Sequence, residues 1–543
     1  LKIGDATAGA ITVSDPIISV PTTLSLVTGG AVGQSGTGAI TATNLAIQAL
    51  DSVDLSTEPN TLTNLAASIG AAVTHENNTY TFKNSGALNI AADIDGISGI
   101  SIAKDLNNFN YSLPNSVISL IAGGALTQDA GATLQGKAVY AEGTKVALTA
   151  SNPTGVIAGK STGSSAGDNF AYTSTNGIHV TEVNSFDGIT SSSSIEPYGV
   201  VLTSTTAGIS QETLKPIVAS NSGLQVSATG SVNLDVADNN VGMLTGTGGG
   251  TDFRFYNASP LILNVISTSG SYVNINALGI LTVNGNVNAG TGNVKLEGSN
   301  LALAQANAIT ITGNIVDLIA STTSSGAISI PNALTVTSSG MANLSADGYI
   351  SFSSTATFNS PKTYIHSISD NWPLKVGGTD TASTLDVINP NYISIGTNRL
   401  VVGQPDVTKP NTTTNIDFQG PLAAASGEIL LGGTGTVTQA AAGIITADKL
   451  GVAAGGNISL DQSNSVNELA AGSTGGTIYI TNSGMSLKTI SLTEGSFTGT
   501  GLTTSNKNIT LESLNGINIY APITAGTGNV SLLASMGSVT SSN

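Results

Sequence analysis

Cysteine is absent from all 543 residues, which excludes a disulfide framework and thiolate metal sites. Long exported bacterial chains often avoid it, because a stray disulfide blocks translocation. Aromatic residues are scarce at 4%, and charged residues make up only 9%, against roughly 25% in an average soluble domain. A core built on bulky rings is therefore excluded. So is disorder, which needs low apolar content and high charge, because 40% of the residues are hydrophobic. Lys and Arg total 16 against 33 Asp and Glu, a net charge of −17. Basic patches that neutralise phosphates are missing, which argues against nucleic acid as a partner, and the same sign repels anionic headgroups. No apolar run approaches the ~18 residues of a membrane span. The chain opens at Leu1-Lys2-Ile3-Gly4 without a signal peptide or initiator methionine, and reads as a processed piece of something longer.

What is present is Gly, 65 residues of it, and an abundance of Ala, Val, Ile, Thr and Ser, which suit half-buried strands. One phrase returns: Gly292-Asn293-Val294-Lys295-Leu296, Gly456-Asn457-Ile458-Ser459-Leu460, Lys507-Asn508-Ile509-Thr510-Leu511 and Gly528-Asn529-Val530-Ser531-Leu532. In each, the apolar residues stand two apart and face one side of a strand. Ile509 and Val530 are 21 residues apart, as are Val232 and Phe253, and Ile458 and Ile478 are 20 apart. A fixed period of that size marks a solenoid.

A longer unit sits above this period, in four copies. The first has Val53, Leu55, Asn60, Leu65-Ala66-Ala67, Tyr80 and Phe82; the second Val146, Leu148, Asn152, Ile157-Ala158-Gly159, Phe170 and Tyr172. The third has Val232, Leu234, Asn240, Leu244, Phe253 and Phe255; the fourth Ile458, Leu460, Asn464, Leu469-Ala470-Ala471, Ile478 and Ile480. The first two share a tail, Ile94-Asp95-Gly96-Ile97 and Phe186-Asp187-Gly188-Ile189. Capped amphipathic helices are absent, and the period is too short for propeller blades. The reading is all-β: a parallel β-solenoid of about 26 coils of about 20 residues. Six of 16 prolines (Pro361, Pro373, Pro390, Pro405, Pro410 and Pro421) and the only Trp, Trp372, fall between Ser360 and Pro421. Proline cannot donate to a ladder, so residues 360–421 are expected to form an irregular excursion between β-helix repeats over 1–359 and 422–543.

The repeat of Asn, apolar step, Leu-Ala-Ala, Gly-rich turn, aromatic strand and Asn-Ser-Gly (Asn84-Ser85-Gly86, Asn482-Ser483-Gly484) resembles that of filamentous-haemagglutinin-type exoproteins. The resemblance covers most of the chain outside 360–421. It implies a right-handed parallel β-helix, two-partner secretion through an outer-membrane transporter of a Gram-negative bacterium, and a secreted or cell-surface role in attachment or aggregation. Asn389-Pro390-Asn391-Tyr392 is similar to the Asn-Pro-Asn-Gly element of that family's secretion domain, with Tyr392 in place of the Gly.

Sites for chemistry are few. Gly163-Ser164-Ser165-Ala166-Gly167 has the G-x-S-x-G spacing of hydrolase nucleophiles, but no helix is expected after it, as the nucleophile elbow requires. Gly159-Lys160-Ser161 lacks the Gly spacing of a phosphate loop and is read as a turn. Asp93 and Asp95 resemble a paired carboxylate and are read as turn residues. His75, His179 and His366 stand far apart, whereas metal ligands cluster, and Gly248-Gly249-Gly250-Thr251-Asp252 is a single approach to a calcium repeat. Neither a cofactor nor a metal is expected. Tyr364, Trp372 and Tyr392 are the candidates for an exposed aromatic ligand-binding patch, with surface glycans or proteins as partners. The expected role is a non-enzymatic adhesin stalk. The alternatives are a self-associating filament or surface-layer subunit, and a β-helical polysaccharide-degrading enzyme. The terminal coils are expected to meet further polypeptide, whether of this chain or of another copy.

Overall fold

The computed structural model describes residues 1–18, 22–70, 78–102, 116–195, 197–304, 307–403, 413–494 and 497–542. The chain divides into two units, Leu1–Leu261 with Ser267–Ser271, and Ile262–Ile266 with Tyr272–Asn543. Each is a β-solenoid of parallel strands stacked about 22 residues apart, with about 23 turns between them. Among the described residues the one helical element is a single 3-10 turn, Pro390–Tyr392.

Period-2 alternation sends every other side chain inward, and identical positions on successive turns pile into apolar rows. In the first unit Val32, Val53, Tyr80, Ile118, Val139 and Ile157 pair rung to rung. In the second, Ile275, Leu296, Leu318, Leu344 and Ile365 do the same. All eleven are at most 1% exposed, and full burial of each aliphatic side chain contributes roughly 1.5–3 kcal/mol. The expected inward pairs Val232/Leu234, Phe253/Phe255 and Ile478/Ile480 are likewise buried. Val530 continues the row of Ile509 but is 45% exposed, because among the described residues its strand is covered on one side only.

Where the strands bend, polar staples replace apolar contact, and they recur in all four copies. Asn60 accepts the Ile40 N–H (2.9 Å) and the Gln34 side-chain amide (2.7 Å) on Oδ1, and donates to the Leu55 and Lys83 carbonyls. Asn152 does so with Leu134, Gln128, Leu148 and Thr173. Asn239 uses Ile217, Gln211, Leu234 and Tyr256, and Asn464 uses Ile445, Gln439, Leu460 and Thr481. Each Gln also donates to the carbonyl four residues on, at Gly38, Ala132, Lys215 and Gly443. The third staple is therefore Asn239 and not Asn240. The bulge after the Leu takes four or five residues, and register within the ladder decides which Asn turns inward. A buried amide with both ends satisfied costs little, whereas an unpaired one costs about 1–3 kcal/mol.

Residues 360–421 depart from the period while their strands stay within the ladders. Lys362 pairs with Arg399, Arg399 with Glu428 and Glu428 with Lys449, steps of 37, 29 and 21 residues. The extra length holds one added strand, Trp372–Val376, parallel to both Leu385–Ile388 and Thr413–Phe418. Pro361 and Pro421 immediately precede strands and Pro390 opens the 3-10 turn, positions that need no ladder donor; Pro405 and Pro410 lie outside the described residues. The row through this region is charged, with Lys362, Arg399, Glu428, Lys449, Glu468 and Lys488 on successive rungs, and it alternates in sign from Arg399 onward. Arg399–Glu428 at 2.8 Å and Lys449–Glu468 at 3.1 Å are ion pairs. Four of the chain's 16 basic residues thus serve one register.

Candidate functional site

Outward-facing positions are where a solenoid meets a partner, and three outer rows are covered by the chain itself. In the first copy the strand opposite Leu65-Ala66-Ala67 is interrupted: Leu65 pairs with Ile90 and Ala67 with Ile100. The nine residues between leave the ladder as a hairpin whose Ile94 and Ile97 pack on Ala46 and Ala66. In the second copy Ile157 pairs with Val180 and Gly159 with Ile189. The hairpin between them lays Val183 and Phe186 over Ala138, Tyr140 and Ala158. In the fourth, Leu469 pairs with Thr489 and Ala471 with Leu502, and the strands Ser491–Glu494 and Phe497–Thr500 form the longest hairpin. Its Leu492 closes a cluster with Val401, Leu430 and Ala470.

The three roots are built alike. On entry the N–H of Ala91, Thr181 or Ile490 bonds to the carbonyl of Leu65, Ile157 or Leu469. On exit Gly99, Gly188 or Gly501 bonds back to that same entry residue. These glycines have φ of +64°, +67° and +63°. A Cβ on them would stand 2.2, 2.1 and 1.8 Å from the carbonyl oxygen of Thr133, Pro216 and Pro522 on the next turn. No L side chain fits there. The first two tips are two-residue turns with both residues at positive φ, Asp95-Gly96 and Asn184-Ser185, as hairpin geometry requires. Asp95 accepts from Ser25 at 2.7 Å and Asn184 donates to Ser119 at 3.3 Å, each Ser lying two rungs before the Ala beneath the hairpin. The expected equivalence of Ile94-Asp95-Gly96-Ile97 with Phe186-Asp187-Gly188-Ile189 is thus three residues out of step: the matching tip is Val183-Asn184-Ser185-Phe186.

The second hairpin is also clamped by charge. Lys215 reaches Asp187 at 2.6 Å and Glu182 at 2.8 Å, which hold its ammonium well above the usual lysine range, Asp187 foremost. Phe186 packs on Tyr140 with centroids 4.9 Å apart and the rings tilted by 43°, and the Lys160 ammonium lies 5.9 Å over the Phe186 ring.

The aromatic candidates are each held by different neighbours. Tyr364 packs against the cluster that Leu492 of the long hairpin closes, so this ring helps to seat the hairpin. Half-buried Trp372 donates its indole N–H to the Asp347 carbonyl at 2.8 Å. Tyr392 ends the 3-10 turn and is 38% exposed, and Asn389 before it is left-handed and donates to the Phe352 carbonyl.

The remaining motifs fall into structural roles. Gly163–Gly167 is a turn between two strands, closed by the Asp168 carboxylate on the Ser165 N–H. Gly159-Lys160-Ser161 is strand and not turn: Gly159 points inward because a Cβ would meet the Phe170 ring at 2.4 Å. Asp93 accepts the Gly96 N–H within the first hairpin, and Asp252 pairs with Arg254. His366 is lowered by burial, against a bond to the Ser367 carbonyl. His75 lies outside the described residues. Among the described residues no three potential metal ligands gather, and no helix is long and apolar enough to cross a membrane.

Comparison with family models, with curated proteins and with solved structures finds no match to this chain.

Proposed function

We propose that this chain is a structural adhesin of the filamentous-haemagglutinin type, a β-helical stalk at the surface of a Gram-negative bacterium that mediates attachment or aggregation. The observation that carries this reading is the hairpin mount, an identically rooted lateral element on the outer face in three copies of one repeat. Such a scaffold presents short segments at fixed positions, as rigid frameworks present binding loops. The few charges support the same reading, since they are used in clamps and register rows. Export through a dedicated outer-membrane transporter follows from the family resemblance. The test is adhesive. Beads coated with the purified chain should cluster, or attach to matrix-coated surfaces, above beads coated with an unrelated β-solenoid. Equal behaviour of the two would count against the proposal.

A further inference from the structure

One recess in the first unit belongs to neither staple nor hairpin. It is a groove of about 290 Å³ lined by residues of four successive turns. Its floor is bare corner backbone at Gly155, Gly177 and Gly208. A Cβ on Gly155 would stand 2.3 Å from the Gly177 carbonyl oxygen, and one on Gly208 would stand 2.4 Å from that of Ser231. The turns can stack only if these corners carry no side chain, and the missing side chains leave the groove.

Its wall is an outward row in which His179 pairs with Ser210 and Ser210 with Asn233. Three hydrogen-bonding groups therefore stand on consecutive rungs, about 4.8 Å apart. His179 Nδ1 lies 3.0 Å from Ser210 Oγ. Asn233 Oδ1 is buried and has no hydrogen-bond partner among the described residues, an unfavourable state that a donor would relieve. Val156 adds an apolar surface at one end. Burial holds the imidazole below the usual histidine range, with Glu212 pulling the other way, which favours the uncharged ring. Arg254 on the rung after Asn233 is paired with Asp252 at 3.3 Å.

We propose that this groove is a binding subsite for an uncharged, hydroxyl-rich ligand, a short extended saccharide lying along the row. Sugar hydroxyls exchange hydrogen bonds with Ser210 and with the Asn233 amide as its side chain turns into the groove, while an apolar sugar face rests on Val156. The volume is at the lower end of small-ligand sites and suits two or three rings rather than a branched glycan. An anionic saccharide finds no uncommitted cation in this row and meets a chain of net charge −17. The assignment does not rest on the adhesin reading and is tested apart from adhesion.

The experiment is saturation-transfer NMR of the full chain with an uncharged β-1,4-linked trisaccharide. Transfer is expected in the wild type, with affinity at least several-fold above that of the monosaccharide. It should fall several-fold in Ser210→Ala and in Asn233→Ala, both checked for wild-type circular dichroism. No transfer, equal affinity for the mono- and trisaccharide, unchanged transfer in both variants, or preference for a sulfated analogue would each overturn the proposal.

Discussion

The third and fourth copies of the long repeat share their internal chemistry and differ on the outside. Both contain the Gln–Asn staple and both continue into a strand closed by a second buried Asn, Asn257 or Asn482. The fourth copy presents Ala470 outward, fully buried beneath its hairpin. The third presents Thr245 at the same position, half-exposed above an exposed Gln225 and a half-exposed Val201 on the preceding rungs, and the strand that follows, Leu261–Thr268, is unbroken. The two covered rows of the first unit likewise carry Ala, at Ala66 and Ala158. A small apolar residue in an outward slot is therefore the imprint of a cover lying on it, and a polar one marks a face left to water.

The sharpest way to break this comparison is to charge the two slots. Ala470→Asp buries a carboxylate without a partner and should cost about 3 kcal/mol or more. Thr245→Asp should stay within about 0.5 kcal/mol. Denaturant unfolding measures both, and similar losses would show that the outer slots are equivalent. Next in size is Asn464→Ala, which leaves the Ile445 N–H and the Leu460 carbonyl without their partner and should cost about 2–4 kcal/mol. Amide exchange at Ile445 should accelerate while exchange at Ile217, under the unaltered third staple, stays as it was. Gly501→Ala forces a side chain into left-handed backbone against the Pro522 carbonyl and should cost about 1–3 kcal/mol. The readout is lost exchange protection across 490–501, with no counterpart change in the third copy.

The smallest effect concerns pH. Asp386 is 1% exposed, bonded through Oδ2 to Thr381, with Oδ1 unpartnered among the described residues. Burial raises it above the usual carboxylate range, against the Thr381 bonds and Lys375. A raised folded value means that its contribution is fully present below the unfolded value and lost as pH rises through the folded one. Asp386→Asn should remove that decline, so that wild type and variant diverge as pH rises above the ordinary aspartate value, with the variant the more stable at neutrality. Parallel melting temperatures from that value to neutrality would refute the assignment.

Much of the inside of this molecule was legible in its sequence, because inward positions are constrained on both sides by neighbours. The i, i+2 pairs and the Asn positions survive compositional noise for that reason. Each Gln partner was missed because it sits 24 to 28 residues before its Asn, one turn away in space and therefore invisible to a reading along a single strand. The signal was there, as Val32-Gly33-Gln34 before Ile40, Leu126-Thr127-Gln128 before Leu134, Ile209-Ser210-Gln211 before Ile217 and Val437-Thr438-Gln439 before Ile445. The hairpins were harder. Their tips keep only a backbone conformation, which Asp95-Gly96 and Asn184-Ser185 reach with different residues, while the glycine at each root is lost among 65. The groove beside His179 has no motif at all, since it arises from side chains that are missing.

Every one of the three hairpins lies back over turns that precede it: 91–99 over Ala46 and Ala66, 181–188 over Ala138 and Ala158, 490–501 over Val401 to Ala470. None reaches forward for its apolar seat, although the Lys215 clamp on the second arrives from a later turn. A chain that becomes available from its first residue onward would thus find each landing place already assembled when the hairpin arrives, and no apolar row would wait long for its cover. Supplied from the other end, each hairpin would appear before the surface it needs. The direction of closure gives this architecture an arrow of assembly.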